Sequence, residues 1–234
     1  MSRQTHIRDQ DRETLVDWLI SFQVECKMCP ETLFITVNII DRYLSKENIR
    51  LSKFQLLGIT ALWIASKFQE IYPPVMKDLV EFSDNLFDST EILEMESKVL
   101  TAIEFDINCT PSQTFLENYS RAINVDEPQV LFYASYLLDL ALIKAEFLRF
   151  RTSHITVCAL AIAMFRAQQA TRQCFQGKLR DLEGLMRLEK YDPETFQQCK
   201  TLFDYYRKRH VARTYSSLVH KYAETGVVNF NVSD

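Results

Sequence analysis

Between Gln55 and Phe68 the chain reads QLLGITALWIASKF, which is apolar on nearly every side of a helix. A helix without a polar face cannot lie on a surface and has to be surrounded by other elements. This run fixes the class of fold: amphipathic helices packed round a central one. Ser52 is placed to cap its start. Gly58 costs the helix about 1 kcal/mol against Ala, and its use is close approach by a neighbour. Tyr72-Pro73-Pro74 ends the run, because proline lacks an amide donor and restricts the residue before it.

The surrounding helices are legible from their periods. Leu15, Leu19, Phe22 and Cys26 recur on one stripe, with Trp18 beside them, along a first helix from about Arg8 to Cys26. Pro30 suits the first turn of a second helix, which carries Leu33, Val37, Ile40 and Leu44. A short helix is expected at about 75–82. Another opens at Asp88, with Glu91 three residues on as the reciprocal half of a capping box. Thr110-Pro111 then forms a natural boundary. Beyond it, helical patterns return at about 112–123, 128–149, 153–169, 179–190 and 193–212, and SHITVCALAIAMF repeats the apolar, Ala-rich character of the central helix. The prediction is an all-α chain of two tandem five-helix domains, 1–109 and 110–234. Order and character suggest a duplicated unit, although no clean sequence period does. The tail GVVNFNVSD is expected to be peripheral.

Composition narrows the function classes. The formal net charge is −4 and the pI about 5.7, which disfavours nucleic acid as partner. No apolar run approaches the roughly 20 residues of a membrane span, and MSRQTHIRDQ does not read as a signal peptide. The expectation is a nuclear and cytoplasmic protein with free thiols. Cys26 and Cys29 form a C-x-x-C without the further ligands a zinc site needs, so they read as two residues near helix ends. No Gly-rich phosphate loop, H-E-x-x-H or triad context is present, so no catalytic residue, metal or cofactor is assigned. Tyr205 to His210 is a short basic cluster, read as a solvated helix end.

Four charges interrupt apolar faces in the first half. Arg12 stands one turn before Leu15, and Asp41 between Ile40 and Leu44. Helices joined by a short loop usually pack antiparallel, so the two could pair as a clamp or be unrelated surface charges. Lys67 follows Trp63 and Ile64 near the end of the central helix. Glu96 shares a face with Leu93 and Leu100, opposite the stripe of Ile92, Met95, Val99 and Ile103. A helix with two apolar faces, one carrying a carboxylate, has something further to bury against: the second domain, or another protein.

RETLVDWLISF (12–22), ETLFITVNIIDRYL (31–44), QLLGITALWIASKFQEIYPP (55–74) and ILEMESKVLTAIEFDI (92–107) together resemble the cyclin box, motif after motif and in order. TPSQTFLENYSRA (110–122), YLLDLALIKAEFLRF (136–150) and SHITVCALAIAM (153–164) resemble the C-terminal cyclin fold. SSLVHKYAETGVVNF (216–230) resembles the tail of A- and B-type mitotic cyclins. The family's five hallmark positions stand here as Arg12, Asp41, Leu56, Lys67 and Glu96. The resemblance implies two tandem cyclin-box folds and a non-enzymatic regulatory subunit that activates a cyclin-dependent kinase in a 1:1 heterodimer, at G2/M. It implies an internal Arg12–Asp41 clamp and a kinase-binding surface of Lys67, Phe68, Glu70, Ile71, Glu96, Leu100, Phe105 and Ile107.

Two departures stand out. The family's substrate-docking patch begins with an apolar residue just before the Arg; here that position is Asp11, and Thr14 follows. The acidic position one turn after the Trp is Ser21. Leu15, Trp18, Phe54 and Gln55 remain, so a degraded groove is expected to bind substrates or inhibitors weakly. A- and B-type cyclins also carry a long region ahead of the box with a destruction signal; here the box motifs begin near Met1, and no such signal is visible. A DNA-binding transcription factor of the same fold, a transcriptional cyclin and a plain helical scaffold are the rival readings. The acidic total, the EIYPP and HKYA steps and the four hallmark charges respectively disfavour them.

Overall fold

A computed structural model of the chain describes residues 4–171, 175–188, 191–208 and 214–223, among which there is no strand. Cys174, Arg209, His210 and the tail 226–234 lie outside the described residues. The chain divides into two compact units, 1–109 and 110–234.

The first unit holds α1 (Asp9–Glu25), α2 (Pro30–Lys46), α3 (Phe54–Gln69), α4 (Met76–Phe82) and α5 (Ser89–Ala102). α3 is the hub: α1, α2 and α5 all pack on it. Leu56, Leu57, Ile59, Leu62 and Ile64 are buried on its several sides, as an all-apolar helix requires. Each such side chain removed from water contributes about 1.5–3 kcal/mol. Gly58 faces α1. A Cβ there would come within 2.7 Å of Leu15 Cδ1, so the missing side chain sets how closely the two helices approach.

The expected Ser52 cap does not form. A capping residue is typically extended, and here that conformation falls on Arg50, ahead of a 3-10 turn. Ser52 is already wound into that turn, Leu51–Lys53, and α3 opens at Phe54 without a side-chain cap. The α5 capping box does form: Asp88 accepts from the Glu91 amide at 2.9 Å, and Glu91 accepts from the Asp88 amide at 3.3 Å.

The second unit holds α6 (Ser112–Ala122), α7 (Pro128–Ile143), α8 (Thr152–Thr171), α9 (Gln176–Leu188), α10 (Pro193–Lys208) and α11 (Ser216–Ala223). Here α8 is the hub, contacted by α6, α7, α9 and α10. The expected run to 149 is cut at Ile143. Lys144 turns extended, which carries its buried ammonium to 5.0 and 5.2 Å from the rings of Tyr206 and Tyr215. A 3-10 stretch, Ala145–Arg149, follows, with Phe147 buried against Phe203. α11 was not expected, being too short to show a period. It is held by α7: Asp139, buried, accepts from Lys221 Nζ and from the Tyr222 hydroxyl, each at 2.7 Å. Burial first, then the Asp139 carboxylate, raises the Tyr222 phenol well above its ordinary pKa.

Aligned on their first prolines, α2 and α7 read PETLFITVNIID and PQVLFYASYLLD. They share Leu, Phe and a closing Asp at the same offsets, and both Asp side chains anchor a cation from another helix. Asp41 accepts from Arg12 Nε and Nη2, both at 2.7 Å. The Arg12 side chain is only 1% exposed and that of Asp41 20%, so the deeply buried charge is the arginine.

Removing one member of a buried pair costs about 3–5 kcal/mol, because the survivor keeps its desolvation penalty. Asp41→Ala is therefore expected to lose about 3 kcal/mol in urea unfolding; an unchanged midpoint would remove the clamp from the stability of this unit. Tyr222 gives a pH signature. Its folded pKa lies above the unfolded value of about 10, so its contribution is present below that pH and fades as pH rises towards the folded pKa. Between pH 9 and 11 the wild type should lose more stability than Tyr222→Phe; parallel curves would contradict the assignment.

Candidate functional site

Lys67 lies in the last turn of α3 and Glu96 in the middle of α5. The structure joins them in an ion pair. Lys67 Nζ also sits 3.4 Å from the centre of the Trp63 ring, so its stem and charge lie flat against the indole. Leu100 and Ile107 are half-buried, whereas Phe68, Leu93 and Phe105 are about half exposed or more, and Ile71 is 87% exposed. The second face of α5 is thus open: its core stripe, Ile92, Met95, Val99 and Ile103, is buried, and Leu93 is not.

Phe105 is presented by an unusual turn. Glu104 and Phe105 both have left-handed backbones, with φ of 59° and 55°. That conformation costs roughly 1–2 kcal/mol for a residue with a Cβ and is rare for a bulky one. The turn is tied to α2. Arg42 Nη1 donates to the Asp106 carbonyl at 2.6 Å, Arg42 Nη2 pairs with the Asp106 carboxylate at 3.0 Å, and Lys46 pairs with Glu104 at 2.7 Å. Strain of this kind persists only where neighbours over-determine it. Here it places a phenyl ring in solvent, 68% exposed.

Glu70, expected on the same surface, turns one oxygen inward. Its Oε1 accepts from the Cys29 amide at 2.9 Å, from Cys29 Sγ at 3.0 Å and from the Thr32 hydroxyl. α2 begins with Pro30 and has no cap from its own N-cap side chain, Cys29. Glu70 supplies the acceptor from the far end of α3, and its charge suits the positive end of the α2 dipole. Cys26 ends α1 and Cys29 precedes α2, so the C-x-x-C spans the joint between two helices. Burial, and then the hydrogen bond to Glu70, push the Cys29 thiol above its ordinary pKa. Among the described residues no His, Cys, Asp and Glu cluster could hold a metal ion, and no helix is long and apolar enough to cross a membrane.

The positions where a degraded docking patch was expected are largely filled from within. Leu15 and Phe54 are buried, and Trp18 packs on Phe82 of α4 with ring centres 5.0 Å apart. Gln55 is half-buried. Asp11, the departure from the family pattern, serves its own helix: its carboxylate accepts from the Arg8 amide at 2.8 Å at the start of α1. That bond, then the Arg8 side chain, lowers its carboxyl pKa. Ser21 donates back to the Trp18 carbonyl at 2.6 Å.

Sequence reasoning missed Arg42 and Lys46, although two cations one turn apart, beside the clamp aspartate, were the available signal. It also missed Asp139 with Lys221 and Tyr222; the offset match of α2 with α7 points to Asp139 but not to its partners.

The fold and this surface define a class: tandem helical units, the first of which carries an ion pair set among exposed apolar side chains. Residues 1–108 match the N-terminal cyclin domain and residues 110–232 the C-terminal cyclin domain. The chain belongs to the cyclin family. Its relatives include the G2/mitotic-specific cyclin-B of Hydra vulgaris, 40% identical over 164 residues that make up 70% of this chain and 45% of that protein. The chain thus spans about half the length of the curated relatives it matches. Among solved structures, a viral cyclin from herpesvirus saimiri superposes with a TM-score of 0.70 at 21% identity, covering 86% of this chain and 89% of that one. A chain of the yeast RNA polymerase II CTD kinase complex CTDK-1 superposes with a TM-score of 0.60 at 14% identity, covering 86% and 66%.

If Arg42 holds the Phe105 turn, Arg42→Ala should cost about 1 kcal/mol and speed amide exchange at residues 103–106 selectively. Unchanged exchange there would show that the turn stands without its tether.

Proposed function

We propose that the chain is the regulatory subunit of a cyclin-dependent protein kinase, binding it 1:1 through the α3–α5 surface and switching it on at entry to mitosis. The observation that carries this reading is the Lys67–Glu96 pair with Phe68, Ile71, Leu93 and Phe105 left open around it. Exposed apolar side chains around a charged pair have the character of an interface core, where aromatics bury area and charges fix register. The B-type and A-type relatives support the mitotic assignment.

Activation follows from differential binding. A kinase of this class is active only when its lysine–glutamate pair and activation loop are in place. A partner that binds the active arrangement more tightly shifts the population towards it, and a shift from 1:99 to 99:1 needs about 5.5 kcal/mol of preference. Phe68, Ile71, Leu100, Phe105 and Ile107 supply apolar area, at about 25 cal/mol per Å² before the costs of association. Lys67 and Glu96 offer charge-assisted hydrogen bonds to the kinase. Glu70 supports the surface from behind by holding the end of α3 to α2. With Leu15 and Phe54 buried, substrates and inhibitors find little apolar groove on α1, and docking there is weak.

The test mixes the purified chain with a monomeric mitotic cyclin-dependent kinase and follows histone phosphorylation. Lys67→Glu and Glu96→Lys should each reduce activation at least tenfold. The double exchange restores the internal pair, and with it the fold, but presents reversed charges to the kinase, so it should stay inactive. Full activity of the double exchange would mean that the pair is only structural. Activation of a polymerase-tail kinase instead would move the chain to the transcriptional branch of the family.

A further inference from the structure

Within the second unit, α8, α9 and α10 enclose a cavity of about 620 Å³. This is the size of a small-molecule site. Its walls follow helical periods. Ile162 and Phe165 come from α8, Leu179, Leu182 and Met186 from α9, and Phe196 from α10. Phe165 is 57% exposed, so the apolar lining is open to solvent instead of being closed into the core.

The charges on the same wall are unbalanced. Arg166, Arg187, Lys200 and Arg207 line the cavity, against Glu183 and Asp204. Asp204 is engaged by Arg207 at 3.4 Å. Arg166 lies over the Tyr133 ring, 4.4 Å from its centre, and among the described residues no carboxylate pairs with Arg166, Arg187 or Lys200. Arg207 lines the same wall, and its Nε is buried without an acceptor among the described residues.

We infer that this cavity binds an amphiphilic anion: an aliphatic or aromatic body of up to fatty-acyl size carrying one carboxylate, sulfonate or phosphate. The apolar walls take the body and the unbalanced cations take the head. The site lies on other helices than the α3–α5 surface, so it stands whether or not the chain activates a kinase.

The probe is 1-anilinonaphthalene-8-sulfonate, titrated into the folded full chain at low ionic strength. The expected result is one saturable site with blue-shifted emission, displaced by dodecanoate but not by dodecyltrimethylammonium. Lys200→Glu, at an exposed position, and Arg166→Glu should each weaken binding tenfold or more at unchanged melting temperature. Phe165→Ser should do the same, and Phe105→Ser on the α5 turn should not. Unsaturable binding, equal displacement by the cationic detergent, full affinity in Lys200→Glu, or loss confined to Phe105→Ser would overturn the inference. Lys200→Glu alone decides if Arg166→Glu fails to fold.

Discussion

An arginine buried to 1% exposure is the most demanding group in the first unit, because its charge must be matched or the unit does not close. The bidentate bond to Asp41 meets that demand and fixes α1 against α2 in one register. With α1 in register, Leu15 reaches the bare backbone of Gly58, and the central helix is covered on that side. The hub α3 in turn carries Lys67 to Glu96 on α5 and Glu70 to the start of α2. The candidate surface is therefore the last link of a chain that begins inside the protein. Hydrophobic burial supplies the stability, and the ion pair selects which packing receives it.

The second unit solves the same problem with different parts. Asp139 occupies the place in α7 that Asp41 occupies in α2, yet its cation comes from a helix that follows instead of one that precedes. The lysine contributes a single bond, and a tyrosine hydroxyl from the next residue completes the set. The two tandem units share an anionic anchor on their second helix and differ in the element that docks on it. The consequence is a different exposed surface: one unit leaves open the end of its hub helix, the other a lined cavity between three helices.

Helices with clear periods were legible in the sequence. α1, α2, α5 and α6 fall within a residue or two of their expected positions, and the all-apolar QLLGITALWIASKF is the buried hub its composition demands. The errors came where tertiary contacts override local signals. Ser52 looked like a cap, but the backbone wound up one turn early. The run to 149 broke at Lys144, because its side chain is drawn between two tyrosines distant in sequence. Of the site, the charged positions were legible as residues out of place on apolar faces. That Lys67 and Glu96 pair with each other, and that Glu70 points back to α2, depends on the three-dimensional crossing of helices, which no single period encodes. Scarce glycine also concealed the turns. α1, α4, α5 and α6 end on left-handed Lys27, Asp84–Asn85, Glu104–Phe105 and Asn124, of which only the Asp and Asn positions carry a weak sequence signal.

The two anchors differ in when they can be made. Asp41 finds its arginine 29 residues earlier in the chain, whereas Asp139 waits for a lysine 82 residues later. On the ribosome, where the chain emerges from its amino end at about 5–20 residues per second, the first unit can lock while the rest is still being translated. The second keeps an acidic group uncovered on α7 until its last described helix arrives. Synthesis thus delivers the Lys67–Glu96 face in finished form several seconds before the other half of the molecule can close.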